Sequence, residues 1–163
     1  MKIVFIQTGG TIDKDYPRKT GGYAFEIDEP AVERILSMVN PTFVYEVLTV
    51  CRKDSQDITD QDRHELLETV HKVSADRIVI THGTDTMLDT AEFLDGSTHK
   101  VIVITGAMKP ERFIASDAAF NVGVALGAAA SLQPGVYIAM NGTVLPWHDC
   151  RRDGKTGQFI RRV

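Results

Sequence analysis

Five short runs of β-branched and aliphatic residues, each leading into a glycine, proline or polar turn and joined in succession by four helical stretches, constrain this chain more than any other feature. They are Lys2–Gln7 (KIVFIQ), Thr42–Val50 (TFVYEVLTV), Arg77–Thr81 (RIVIT), Lys100–Thr105 (KVIVIT) and Val136–Asn141 (VYIAMN). Strands with few polar positions at their centres need cover on both faces, and strands alternating with helices imply right-handed parallel crossovers. The expected architecture is a doubly wound α/β domain with a mainly parallel sheet of about five strands in a flavodoxin-like 2-1-3-4-5 order. A single domain over residues 1–163 suits a chain of 163 residues with 43% apolar content, enough for one core. A polar, turn-rich tail from Gly142 onward reads as a hairpin closing on Gln158 to Val163.

Between the strands, the helix signals are local. Glu29-Pro30 opens a helix with Pro at its first turn and Asp28 and Glu29 at its positive end; Ile35, Leu36 and Val39 form the apolar face, and Asn40-Pro41 ends it. Thr59 with Asp62 resembles a capping box for a helix through Val73 whose core face is Leu66, Leu67 and Val70. Met87–Leu94 and a segment from Ser116 or Asp117 to about Ser131 complete the set. In the last of these, Gly123, Ala125, Gly127 and Ala128 suit close packing on the sheet. Asp13–Gly22 is charged and Gly/Pro-punctuated, and reads as a long mobile loop of the kind that closes over sites. Cys51–Ile58 reads as the loop leaving the second strand.

In an open α/β sheet ligands bind outside the carboxyl ends of the strands, where the strand order reverses. With a 2-1-3-4-5 order that point lies between the first and third strands. The first empties into Thr8-Gly9-Gly10-Thr11 and the third into His82-Gly83-Thr84-Asp85-Thr86. Two glycines permit close backbone approach, with Thr8 and Thr11 presenting hydroxyls beside them. Taken alone, Thr84, Asp85 and Thr86 read as caps of the following helix, but the topology joins the two loops into one pocket.

Several chemistries find no support. The net charge of −4 with 25% charged residues, mixed along the chain, argues against a nucleic-acid groove or an anionic membrane as main partner. No G-x-G-x-x-G or P-loop follows the first strand, and no G-x-S-x-G elbow is present. His64, His71, His82, His99 and His148 are scattered without metal-ligand spacing, and His82 is expected to bond locally at a strand exit. Cys51 and Cys150 suggest free, reduced thiols. With no leader or membrane-spanning run in the sequence, the expected location is the cytoplasm. What remains is a pair of threonines and a carboxylate among glycine amides, the parts that amide hydrolysis by an activated hydroxyl requires.

The blocks TGGTI (8–12), DSQD (54–57), HGTDTM (82–87), TGAMKP (105–110) and SDAAFN (116–121) resemble the L-asparaginase family in order, spacing and position at strand ends. The resemblance covers roughly residues 1–145 and is to the amino-terminal catalytic domain. It implies a short, single-domain member lacking the family's carboxyl-terminal domain. It further implies hydrolysis of L-asparagine to L-aspartate and ammonia through a threonyl ester, without metal or organic cofactor, in a homodimer or higher homo-oligomer. Residue by residue, it implies Thr11 as nucleophile, Thr84 as the second catalytic threonine, and Asp85 on the substrate α-amine. Ser55 and Gln56 would hold the α-carboxylate, Gly10 and Gly83 belong to the binding set, and Ala107 lies at the pocket floor. Tyr23, or else Tyr16, would be the lid tyrosine that orients Thr11. In one place the chain departs from the family: Arg152 stands where the family has a lysine, with Lys155 nearby. Arginine supplies charge but cannot act as a neutral base. Two alternatives therefore accompany the amidase expectation. One is an aspartate- or asparagine-binding module with little or no turnover. The other is an amidase for a larger amide, as in glutaminyl-tRNA amidotransferase subunits, although the acidic balance opposes tRNA contact.

Overall fold

The computed structural model describes residues 1–18 and 24–162. Its main sheet is built from β1 (Lys2–Gly9), β4 (Val44–Lys53), β5 (Arg77–Thr81), β6 (Val101–Thr105), β7 (Gly135–Met140) and β8 (Thr143–Pro146). Their order is β4-β1-β5-β6-β7-β8; the first five are parallel, and β8 returns antiparallel on β7. The expected 2-1-3-4-5 arrangement is therefore present, with one strand added at its edge. Two ribbons complete the strands: β2 (Lys14–Asp15) with β3 (Glu26–Ile27), and β9 (Cys150–Arg152) with β10 (Phe159–Arg161). The second is the tail hairpin.

Side chains alternate across the central strands, and each set meets its own helices. Val4, Ile6, Ile78, Ile80, Ile102 and Ile104 face α2 (Asp60–Lys72) and α3 (Met87–Leu94), where Leu66, Val70, Ala91 and Leu94 cover them. Ile3, Phe5, Val79, Val101 and Val103 face α1 (Ala31–Val39) and α4 (Ala118–Ser131), against Val32, Ile35, Leu36, Val122 and Ala125. A period-two strand buried on both sides thus reads as a continuous apolar run. Among the described residues, no helix is long and apolar enough to cross a membrane.

The local signals hold in part. Thr59 and Asp62 form a reciprocal capping box, and Asn40 ends α1 in the left-handed region at φ 46°. Pro30 stands just before α1 rather than within its first turn, and the acidic residue of that turn is Glu33. The helix end is met from a distance: the Asp13 carboxylate accepts a 2.8 Å hydrogen bond from the Ala31 N–H. Asp117 flanks α4 but its side chain bonds no helical N–H; the Ala118 N–H donates to Ser116 Oγ instead. Gly123 and Gly127 lie on the outer face of α4, where a Cβ would meet nothing within 4 Å. The sheet contact belongs to Ala118, Val122, Ala125 and Ala129.

Two loop expectations need correction. β4 continues through Cys51 and Arg52 to Lys53, because the Lys53 backbone still pairs with the exit of β1. The start of the Asp13–Gly22 segment is ordered: Thr11–Asp13 forms one 3₁₀ turn, and Lys14–Asp15 pairs with Glu26–Ile27. Asp13 itself is fully buried. Burial pushes its carboxyl up to about 7, against the opposing hydrogen bond from Ala31. The folded chain therefore holds a proton that the unfolded chain releases above its ordinary 3.8. Stability from this group is full below that value and is lost as pH rises towards about 7. Thermal midpoints recorded across that range should fall with pH, and Asp13→Asn should flatten the slope.

Candidate active site

The carboxyl ends of β1 and β5 touch through glycine. Gly10 has φ 89° and ψ −175°, a conformation accessible to almost no other residue. A Cβ there would lie 2.4 Å from the Gly83 Cα, and a Cβ on Gly83 would lie 2.7 Å from Ser55 Oγ. Backbone therefore packs on backbone along Gly10, Gly83 and Ser55, which brings the two threonine loops together. Hydroxyls at the strand ends reinforce this: Thr8 Oγ1 donates to the Thr81 carbonyl at 2.9 Å and Thr105 Oγ1 to the Ala139 carbonyl at 2.8 Å. Thr8, expected to present a hydroxyl beside the turn, is buried and bonded across the sheet.

Above these contacts lies an open cleft of about 440 Å³ lined by Thr11, Lys14, Asp54, Gln56, Asp57, Thr84, Asp85, Ala107, Met108 and Arg152. Two other surface depressions have similar volumes, so its lining, not its size, marks it out. Thr11, Thr84, Asp85, Gln56, Ala107 and Arg152 are the sequence-derived residues brought together here. Gly10 and Gly83 lie buried beneath. Ser55 is also enclosed, at 1% exposure. Its Oγ accepts from the Asp85 N–H at 3.3 Å and its carbonyl from Thr86 Oγ1 at 2.7 Å, so it braces the 83–86 turn. Tyr23 lies outside the described residues. Tyr16 is exposed and stands among Phe25 and Phe113.

Asp85 is held on both oxygens: Arg152 Nη1 donates to Oδ1, and Gln56 Nε2 donates to Oδ2 at 2.7 Å. The Arg152 hydrogen bond, followed by that of Gln56, keeps its carboxyl below the usual carboxylate range. Arg152 therefore meets the carboxylate directly, while Lys155 sits exposed in the turn of the tail hairpin. His82 behaves as a structural residue. It is fully buried, with Nδ1 2.8 Å from the Gly83 carbonyl and Nε2 2.8 Å from Thr90 Oγ1. Burial lowers its ring to about 4, so it stays neutral.

The floor of the cleft is set by α4. The Asp117 carboxylate accepts from the Met108 and Lys109 N–H groups at 3.0 Å, and Asn121 Nδ2 donates to the Gly106 carbonyl at 3.0 Å. Ala107 is thereby fixed by two side chains of the SDAAFN block. Sequence reasoning passed over Lys14, Asp54, Asp57 and Met108. Three of these adjoin chosen residues within the recognised blocks, which was an available signal; Lys14 had none, since it lies in a segment read as a loop.

Fold and cleft together define a doubly wound α/β domain with a hydroxyl- and carboxylate-lined cleft at its switch point. The family model for "Asparaginase, N-terminal" matches residues 2–156, and the chain belongs to the asparaginase family. It is 32% identical over 166 residues to L-asparaginase 2 of Escherichia coli strain K12, covering 94% of this chain and 47% of the relative. It is 30% identical over 159 residues to the glutaminase-asparaginase of Acinetobacter glutaminasificans, covering 90% and 48%. Among solved structures, the thermostable L-asparaginase from Thermococcus kodakarensis superimposes with a TM-score of 0.84 at 27% identity, over 99% of this chain and 51% of that one. A probable cytoplasmic L-asparaginase from Campylobacter jejuni gives 0.82 at 26%, over 97% and 50%. The chain spans about half the length of the curated relatives it matches.

Proposed function

We propose that this chain hydrolyses the side-chain amide of L-asparagine to L-aspartate and ammonia, with Thr11 as nucleophile. The observation that carries the reading is the meeting of Thr11, Thr84 and Asp85 in one cleft, each on a block shared with a family whose relatives are named for this activity. The Thr11 Oγ1 attacks the amide carbon while its proton is taken up within the site. Ammonia leaves with the proton as the ester forms, and water then cleaves the ester to aspartate and free Thr11. Thr84 supports the acyl transfer, and Asp85, ionised under the influence of Arg152 and Gln56, takes the substrate ammonium. Ammonia release by the purified chain from L-asparagine above a buffer control, with L-glutamine assayed in parallel, tests the reaction and its substrate.

One observation favours a second reading. Arg152 and Gln56 occupy both oxygens of Asp85, and a guanidinium that never deprotonates cannot take the part of a neutral amine. A module that binds aspartate or asparagine and turns over slowly would have this arrangement. Arg152→Lys discriminates: on the amidase reading limited by Arg152, kcat should rise about 100-fold, the gain of one general acid–base contact at its weaker end. Calorimetric binding without ammonia release in either form would favour the module.

A further inference from the structure

The residue two places beyond Thr11 fastens the turn that carries it. Asp13 closes the 3₁₀ turn by donating its N–H to the Gly10 carbonyl at 3.2 Å, and its own carbonyl accepts from the Asp28 N–H at 2.9 Å. Its side chain makes a third attachment, Oδ1 accepting from the Ala31 N–H at the start of α1. One residue thus ties the Thr11 turn to the exit of β1, to the segment before α1 and to the helix itself. Gln7 braces the same junction from β1: Nε2 donates to the Asp28 carbonyl at 2.8 Å, and Oε1 accepts from Thr49 Oγ1 at 2.9 Å. Thr11 opens onto the cleft, and Asp13 lies fully buried behind it. Its second carboxyl oxygen stands apart: Oδ2 is buried and, among the described residues, has no hydrogen-bond partner. An ionised carboxylate with one oxygen unpaired in such an enclosure is costly, whereas the neutral acid places no charge there. The charged groups that face it are Arg34 from α1 and Arg52 from β4. Both are engaged elsewhere, Arg34 Nε with Glu111 at 2.6 Å and Arg52 with Glu29 at 2.7 Å, and the buried Arg34 Nη2 makes no hydrogen bond. The Asp28 carboxylate pairs with Arg18.

We infer that Asp13, held as the neutral acid, is a positioning residue for Thr11, and that its ionisation unfastens the turn and lowers turnover without removing substrate binding. The inference rests on the reading of Thr11 as nucleophile and adds a control on its placement. Ionisation has to be relieved by opening the enclosure to water or by drawing in Arg34 Nη2, and both displace the turn to which Thr11 belongs. Gln56 and Asp85 stand on other segments, so the binding groups stay where they are. Because burial pushes the Asp13 carboxyl up to about 7, the fastened form prevails below that value and is lost above it.

Turnover of L-asparagine followed against pH in the wild type, Asp13→Asn and Asp13→Ala tests the assignment. In the wild type kcat should fall above about 7, levelling off at a loss of about 100-fold, the scale on which a misplaced reacting group acts, while KM changes little. Asparagine keeps an acceptor for the Ala31 N–H and has no proton to lose, so Asp13→Asn should hold the wild-type plateau through the pH range where the wild type declines. Asp13→Ala lacks the attachment to α1 and should show the lowered kcat at every pH. Amide hydrogen exchange gives a readout apart from activity and does not depend on whether the alanine variant folds. Exchange at Asp13 and Ala31 should accelerate above pH 7 in the wild type relative to Asp13→Asn. A wild-type kcat that does not fall, a fall that persists in Asp13→Asn, or a loss carried by KM would overturn the positioning role while leaving the amidase reading intact. A wild-type chain that releases no ammonia at any pH would overturn the amidase reading; the fastening by Asp13 would then be overturned only by matching exchange profiles in the wild type and Asp13→Asn.

Discussion

Replacing Thr11 with alanine should reduce ammonia release from L-asparagine by roughly 10³-fold or more, the scale on which removal of a nucleophile acts when its partners work as a unit. Thr11 opens the 3₁₀ turn that follows Gly10 and reaches the cleft directly. Its backbone conformation is set by Gly10 and by the bond from the Asp13 N–H to the Gly10 carbonyl at 3.2 Å, none of which depends on the threonine side chain. Alanine therefore removes the hydroxyl and spares the scaffold. The thermal midpoint should stay close to wild type and L-aspartate should still bind, since the ammonium and carboxylate partners are untouched. A loss confined to kcat separates a nucleophile from a binding group; an equal loss of binding would move Thr11 into the second class.

The second large effect concerns the contact that makes the site possible. Gly10→Ala adds a Cβ 2.4 Å from the Gly83 Cα, in a backbone region that non-glycine residues avoid. Strain and overpacking together should cost about 3 kcal/mol, which for a chain of 163 residues lowers the thermal midpoint by roughly 6–12 °C. Relief requires the β1 and β5 exits to move apart, so Thr11 and Thr84 separate and activity should fall even where the fold survives. A matched change on the outer face of α4, Gly123→Ala, meets nothing within 4 Å and should be neutral or slightly stabilising, because alanine is the better helix former. The two alanines thus test whether the sensitivity belongs to the interface or to glycine in general.

Much of the architecture is legible in the sequence, because its signals are local. The central strands announce themselves by short apolar runs, Thr59 and Asp62 by their capping spacing, and the convergence of the Thr11 and Thr84 loops by the switch-point rule. What is not legible depends on partners far along the chain. Cys51–Lys53 looks like loop because its residues are polar, yet it stays extended against the end of β1. Two-residue strands such as Lys14–Asp15 have no periodicity to read, so the ribbon and the entry of Lys14 into the cleft were invisible. Asp13 carries the signature of a solvent-facing turn, and only the start of α1 above it explains its burial. Asp117 reads as a cap by spacing, but the nearby 106–109 turn competes for its carboxylate and wins. Ser55 illustrates the same limit at the site: its block is recognisable, while its enclosure follows from a contact with Gly83 that sequence spacing does not encode.

The most direct test of the account is a diffraction structure of this chain with L-aspartate bound. The account predicts the distal carboxylate of the ligand within hydrogen-bonding reach of both the Thr11 and Thr84 hydroxyls, with its amine at Asp85. Aspartate seated elsewhere on the surface, or a ligand carboxylate that meets one threonine while the other stays out of reach, would contradict it.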